Sequence, residues 1–150
     1  MRVRTFFGHR NCPDTIKPAL RAAIEKLITE HEADTFYVGN HGGFDACVRS
    51  TLRQLQREHP HIRYAVVLAY LPTGNNQFQN SSDTMFPEGL EVGPPQFAIA
   101  RRNKWLLNQA DHVICYIQHS WGGAYKYAKS AKQRGINVIN LCDSPVLQSE

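Results

Sequence analysis

No apolar run in the chain is longer than Tyr64–Leu71, far below the roughly 20 residues that a bilayer span needs, so no transmembrane helix is expected. The opening residues, from Met1 to Arg10, hold too short an apolar stretch for a secretory leader and no small-residue cleavage site after it, and a cytoplasmic location is expected. The four cysteines, Cys12, Cys47, Cys115 and Cys142, form no Cys-x-x-Cys pair; this excludes a local zinc knuckle or redox motif and leaves free thiols as the expectation. The seven histidines include no His-x-x-x-His spacing, and His59 and His61 flank a proline at a solvated turn, so no metal is expected. No Gly-x-Gly-x-x-Gly follows the first strand, and no Gly-Lys-Ser or Gly-Lys-Thr closes a P-loop. A dehydrogenase and a Walker ATPase are therefore disfavoured, and no cofactor is expected. Ser120 lacks the Gly-x-Ser-x-Gly elbow of a hydrolase nucleophile.

Charge is also sparse. Seventeen Lys and Arg against thirteen Asp and Glu leave a formal +4 and a pI near 9.0. That balance suits an anionic small ligand, and it is too modest and dispersed to announce nucleic acid as a partner. Arg49, Arg53 and Arg57 read as a solvated helical face.

What is present is enough apolar residue, 42% of 150, to build one domain spanning 1–150. Val3–Phe7 is β-branched and aromatic and stops at Gly8. From Asp14 or Thr15, either of which is a candidate cap, Ile16, Ala19, Leu20, Ala23, Ile24, Leu27 and Ile28 recur at helical spacing. The unit repeats with strand 35–38 and a helix whose stripe is Phe44, Cys47, Val48, Thr51, Leu52 and Leu55. Tyr64–Tyr70 is a continuous apolar strand of the kind covered on both faces. Phe97, Ala100, Leu107 and Ala110 mark a third helix, and strand 112–117, a helix opened by Gly122-Gly123 and strand 136–141 close the series. Five β/α units predict a five-stranded parallel sheet in an α/β three-layer sandwich. The polar segment 71–95 is expected to be a binding loop or lid. Trp105, Leu106 and Leu107 are too many consecutive apolar residues for one narrow stripe, so a homodimer contact or an all-round buried helix is expected.

Parallel sheets bind ligands beyond the carboxyl ends of their strands. The loops expected there are Gly8-His9-Arg10, Gly39-Asn40-His41-Gly42-Gly43-Phe44-Asp45, 71–95 and Ser120-Trp121-Gly122-Gly123. Gly-rich turns running into helix N-termini present backbone N–H groups and a partial positive charge, and Arg10 adds a bidentate donor; together they fit a phosphate-bearing ligand. Asp45, Asp83, Glu88 and Glu91 are the carboxylates available for acid/base work. Asp45 is also where a helix dipole alone favours an acid. Phe44, Phe86, Trp121 and Tyr125 are candidates for stacking on a base, and Cys12 reads as an unreactive thiol.

Gly8-His9-Arg10, Gly42-Gly43-Phe44-Asp45, Asp83-Thr84-Met85-Phe86-Pro87 with Glu91, Arg102-Asn103 and Trp121-Gly122-Gly123-Ala124-Tyr125 together resemble a small protein of the SLOG superfamily, Rossmann-like domains of bacteria and their phages. The resemblance runs roughly from Val3 to Leu141. It implies the sheet order 3-2-1-4-5 and the sensing or processing of a nucleotide or nucleotide-derived molecule. It also implies ligand contacts from Gly8, His9, Arg10, Gly42, Gly43, Asp45, Arg102, Asn103, Trp121, Gly122 and Gly123. Enzymes of the group, the LOG phosphoribohydrolases, carry an arginine in the third helix, matched by Arg102, and a Pro-Gly-Gly-x-Gly-Thr-x-x-Glu loop. Gly122-Gly123 match only the glycines of that loop, and no glutamate stands between Ser120 and Ser130. The leading expectation is thus a binder of an ADP-ribose-like or second-messenger ligand. The alternatives are a nucleotide N-glycosidase using Glu91, Asp83 or Asp45, and a protein or nucleic-acid interaction module.

Overall fold

The computed structural model describes residues 2–70 and 83–147. The strands are β1 (Val3–Gly8), β2 (Thr35–Val38), β3 (Arg63–Val67), β4 (Thr84–Met85), β5 (His112–Tyr116) and β6 (Asn137–Asn140), and the helices are α1 (Lys17–Glu30), α2 (Gly42–Glu58), α3 (Ala98–Gln109) and α4 (Gly123–Gln133). All strands pair in parallel, in the order β4-β3-β2-β1-β5-β6. The five expected strands hold the expected order. The correction is a sixth, edge strand of two residues, Thr84–Met85, drawn from the segment read as loop; its register with Val66 and Val67 is set by the Val66 N–H donating to Asp83 O at 2.7 Å and the Leu68 N–H to Met85 O at 2.9 Å. Two residues are too few to show a period. Of the expected lid, residues 71–82 lie outside the described residues.

Because strand side chains alternate between faces, neighbouring residues of one strand belong to different cores. Phe6 joins Leu20, Ile24, Phe36, Phe44 and Leu52 under α1 and α2, while Phe7 joins Val67, Leu106, Val113, Cys115 and Ala128 under α3 and α4. The sheet is thus sandwiched between two helical layers. No described helix is long and apolar enough to cross a membrane.

Local expectations are corrected in three places. Asp14 and Thr15 cap nothing: Asp14–Ile16 is a short 3-10 turn, and α1 starts behind it with no side-chain cap. β3 ends at Val67, although Leu68 and Ala69 remain buried beyond it. The buried stripe of α3 is Ala98, Arg102, Leu106 and Leu107, with Phe97 55% exposed and Ala100 outward, because Arg102, hydrogen-bonded to the Val67 carbonyl, faces the sheet and leaves Ala100 on the other side. Trp105 packs at 5.3 Å on Tyr37 and is half-buried, while Leu106 and Leu107 are buried within the chain.

Candidate functional site

Strand order reverses between β1 and β5: one half of the sheet grows away from β1 through β2, the other from β5 to β6. Their diverging loops open a crevice at such a point. It holds a cavity of about 560 Å³ lined, among others, by Gly8, His9, Arg10, Asn11, Gly39, His41, Asp45, Arg102, Asn103, His119, Trp121, Gly122 and Gly123. The loop after β1, the start of α2, the first half of α3 and the start of α4 therefore meet at one place, as their positions at strand ends require.

Most residues singled out from the sequence come together here. Gly42 and Gly43 do not line the cavity; the Gly43 N–H donates to Arg10 O at 2.8 Å, so this pair seats the β1 loop on the start of α2. Glu91 is exposed and does not line the cavity. Asp83 accepts a hydrogen bond from Tyr64 Oη at 2.8 Å beside Arg53, over the β3 edge. Glu88 is exposed, and of the four candidate acids only Asp45 lines the cavity. Of the candidate aromatics, only Trp121 does, and Phe44 is wholly buried in the core. Cys12 packs half-buried against the core with its thiol pushed up to about 12, chiefly by burial, which suits an inert thiol; the four cysteines are unpaired. No described group of three His, Cys, Asp or Glu side chains is placed to hold a metal.

One wall is aromatic. His9 stacks on His119 at 3.7 Å and 15°, and His119 on Trp121 at 3.6 Å and 12°. His9 Nε2 accepts the Gln118 N–H at 2.9 Å, so a neutral ring carries its proton on Nδ1; burial first, and His119 second, lower its pKa and favour that neutral form. His119 Nδ1 faces Trp121 O at 3.0 Å, and since a carbonyl only accepts, Nδ1–H is the donor. The stack ends in an indole that is 68% exposed.

The floor is ionic. Arg102 is 2% exposed; its Nε donates to Asn103 Oδ1 at 2.8 Å, Nη1 to Asn40 Oδ1 at 3.0 Å and Val67 O at 3.1 Å, and Nη2 reaches His41 Nδ1 at 3.3 Å. The His41 pKa falls to about 4, through burial first and then the Arg102 charge, so the ring is neutral and accepts. Asp45 Oδ2 takes the His41 N–H at 3.0 Å, and burial lifts its carboxyl to about 6 against the opposing pull of Arg102. Gly39 makes room for the pair: a Cβ there would lie 2.7 Å from Arg102 Cζ and 2.8 Å from Asp45 Oδ2.

The far wall is the start of α4, where no side chain caps the helix and no acid stands in the first turn. The Lys126 N–H is bonded back to Gly122 O at 3.1 Å; the N–H groups of the preceding turn have no partner within the helix, and Gly122, Gly123 and Ala124 line the cavity.

Sequence reasoning put Gly39, Asn40 and His41 in a loop at this edge without giving them a ligand contact, and did not assign His119 to the site. The first three share the strand-end loop with Gly42 and were legible by position alone; nothing local announces that an arginine some sixty residues later docks onto them.

The opposed shifts of Asp45 and His41 have a testable sign. A carboxyl whose folded pKa is raised from 3.8 to about 6 binds protons more tightly in the folded state, so its contribution weakens as pH rises through that window. A histidine lowered to about 4 behaves oppositely, losing stability as pH falls from 6.5. Asp45→Asn removes the first arm. In urea melts at several pH values, the stability of that variant relative to the native protein should rise between pH 4 and 7; a flat or falling difference refutes the assignment.

No family model matches the chain, and no curated protein matches it. Fold and site define a Rossmann-like α/β domain with a ligand-sized cleft at its switch point.

Proposed function

We propose that the domain is SLOG-like and binds a nucleotide or nucleotide-derived ligand of the ADP-ribose or second-messenger kind in this cleft, sensing or sequestering it in the cytoplasm. The observation that carries the reading is the union, on one cavity of about 560 Å³, of an uncapped helix start, the Arg10 side chain and the flat exposed face of Trp121. A helix N-terminus and an arginine answer a phosphate, and an indole answers a base. Arg102 has four of its hydrogen bonds committed within the protein, so its part is to hold Asn40, His41 and Asn103 in place rather than to clamp the phosphate.

A second reading, N-glycoside hydrolysis, is supported by Asp45: a carboxyl near pKa 6 on the cavity wall suits a general acid. One experiment addresses both. The purified protein is heated with nucleoside monophosphates, NAD, ADP-ribose and cyclic dinucleotides, and the same samples are analysed for products. A binder at a hundredfold excess over Kd adds about 2.7 kcal/mol of stability. Stabilisation by an intact ligand, weakened about tenfold in affinity by Trp121→Ala, supports the sensor; free base that disappears with Asp45→Asn supports the hydrolase. No shift and no product across the panel refutes both.

A further inference from the structure

The net charge of the chain hides a sharp asymmetry. Residues 1–91 hold ten Lys and Arg and ten Asp and Glu, whereas residues 92–142 hold seven bases and one acid, Asp111. Asp111 is spent at the opposite edge of the sheet, accepting the Val3 N–H at 2.8 Å. Neither α3 nor α4 contains any acid. On the α1–α2 layer, by contrast, acids stand among the bases and pair with some of them: Arg21 meets Glu25 and Glu58 at 3.1 and 2.6 Å, and Arg53 meets Asp83 at 3.5 Å.

On the α3–α4 layer, Lys104, Lys126 and Lys129 are exposed, and among the described residues none forms a salt bridge. Lys126 Nζ and Lys129 Nζ lie instead 5.5 and 5.7 Å from the ring centres of Tyr127 and Tyr125. Trp121 stands two residues before α4, and Lys126 and Lys129 lie in the first two turns of that helix. Unneutralised cations on α3 and α4, with an exposed aromatic face just before α4, match the two elements by which single strands are held: cations along the backbone and a platform for an unstacked base. A duplex keeps its bases stacked and presents none to Trp121, and an acidic protein has no use for that platform.

We infer that the α3–α4 face binds single-stranded nucleic acid, one nucleotide of which stacks on Trp121 at the cleft. The inference rests on the cleft as a nucleotide site and names the substrate class: a nucleotide within a strand.

The test is fluorescence anisotropy with an end-labelled 12-nucleotide oligothymidylate, titrated at 50 and 200 mM salt, beside thermal shifts with mononucleotides. Three phosphate contacts predict about a 20-fold weakening across that salt range. Combined Lys104→Gln, Lys126→Gln and Lys129→Gln, which lie outside the cavity lining, should weaken binding at least tenfold and lower the salt slope by about 2, with circular dichroism unchanged. Trp121→Ala should weaken it about tenfold. Failure of the native protein to bind at 50 mM salt, equal affinity for a duplex, equal competition by polyglutamate, or indifference to the triple substitution overturns the inference. Mononucleotide stabilisation without oligonucleotide binding overturns it while leaving the cleft reading intact. Oligonucleotide binding without mononucleotide stabilisation supports it and overturns the free-ligand reading.

Discussion

Arg102→Ala is expected to cost about 3–5 kcal/mol, the range found when one partner of a buried charged network is removed. The guanidinium is 2% exposed, and its loss strands the Val67 carbonyl, Asn40 and the Asp45 carboxyl in a place that water scarcely reaches. Each unsatisfied buried polar group costs about 1–3 kcal/mol, and the volume vacated adds a cavity term. In a domain of this size the melting temperature should fall by roughly 6–20 °C. Arg102→Lys should not rescue it, since one ammonium cannot span Asn103, Asn40, Val67 and His41 as the planar fork does. The loss should be smaller at pH 5 than at pH 8, because a protonated Asp45 no longer needs the cation. Urea midpoints at the two pH values check both statements; a loss under 1 kcal/mol, or one that grows towards acid, refutes the network as drawn.

Gly8→Ala should be comparably damaging for a steric reason. A Cβ at Gly8 would stand 2.1 Å from Cγ and 2.2 Å from Cδ2 of Phe44, a ring with no exposure at all. Overpacking of a tight core typically costs about 1–3 kcal/mol and more where nothing can yield. Phe44 cannot yield, being locked into the core in the first turn of α2 beside the very loop that Gly8 begins. The sharper prediction concerns coupling. Phe44→Ala alone should cost about 3–5 kcal/mol through its cavity, yet the double variant should lose well under the sum of the two, since the new methyl then enters the vacated space. Additive losses in denaturant melts would mean that the clash is relieved elsewhere.

Both sites show what the sequence alone could and could not convey. The alternation of strand and helix was legible because burial on a face imposes a local period, and the apolar stripe of α2 follows it residue for residue. The gathering of Gly8, His9, Arg10, Trp121, Gly122 and Gly123 was legible too, since parallel strands put all their carboxyl-end loops on one edge. Arg102 could be placed near that edge through its resemblance to a family arginine, but not as the buried, fully engaged centre of a network, because a charged residue in a helix reads as solvated unless its acceptors are known. Its acceptors lie on Asn40 and Val67, 62 and 35 residues away.

The sequence by itself determined the α/β class, the order in which elements follow one another and the edge on which the strand-end loops gather; these depend on spacing within short windows and on the handedness of parallel crossovers. Tertiary structure alone decided which glycines serve packing and which face the cavity, that Thr84–Met85 pairs as a sixth strand, that His119 is stacked between His9 and Trp121, and that Asp45 lines the cavity while Asp83 and Glu91 do not. The reason is the same in each case: a contact between residues distant in the chain leaves no period in either segment, and burial of a polar group is settled by the partner that satisfies it.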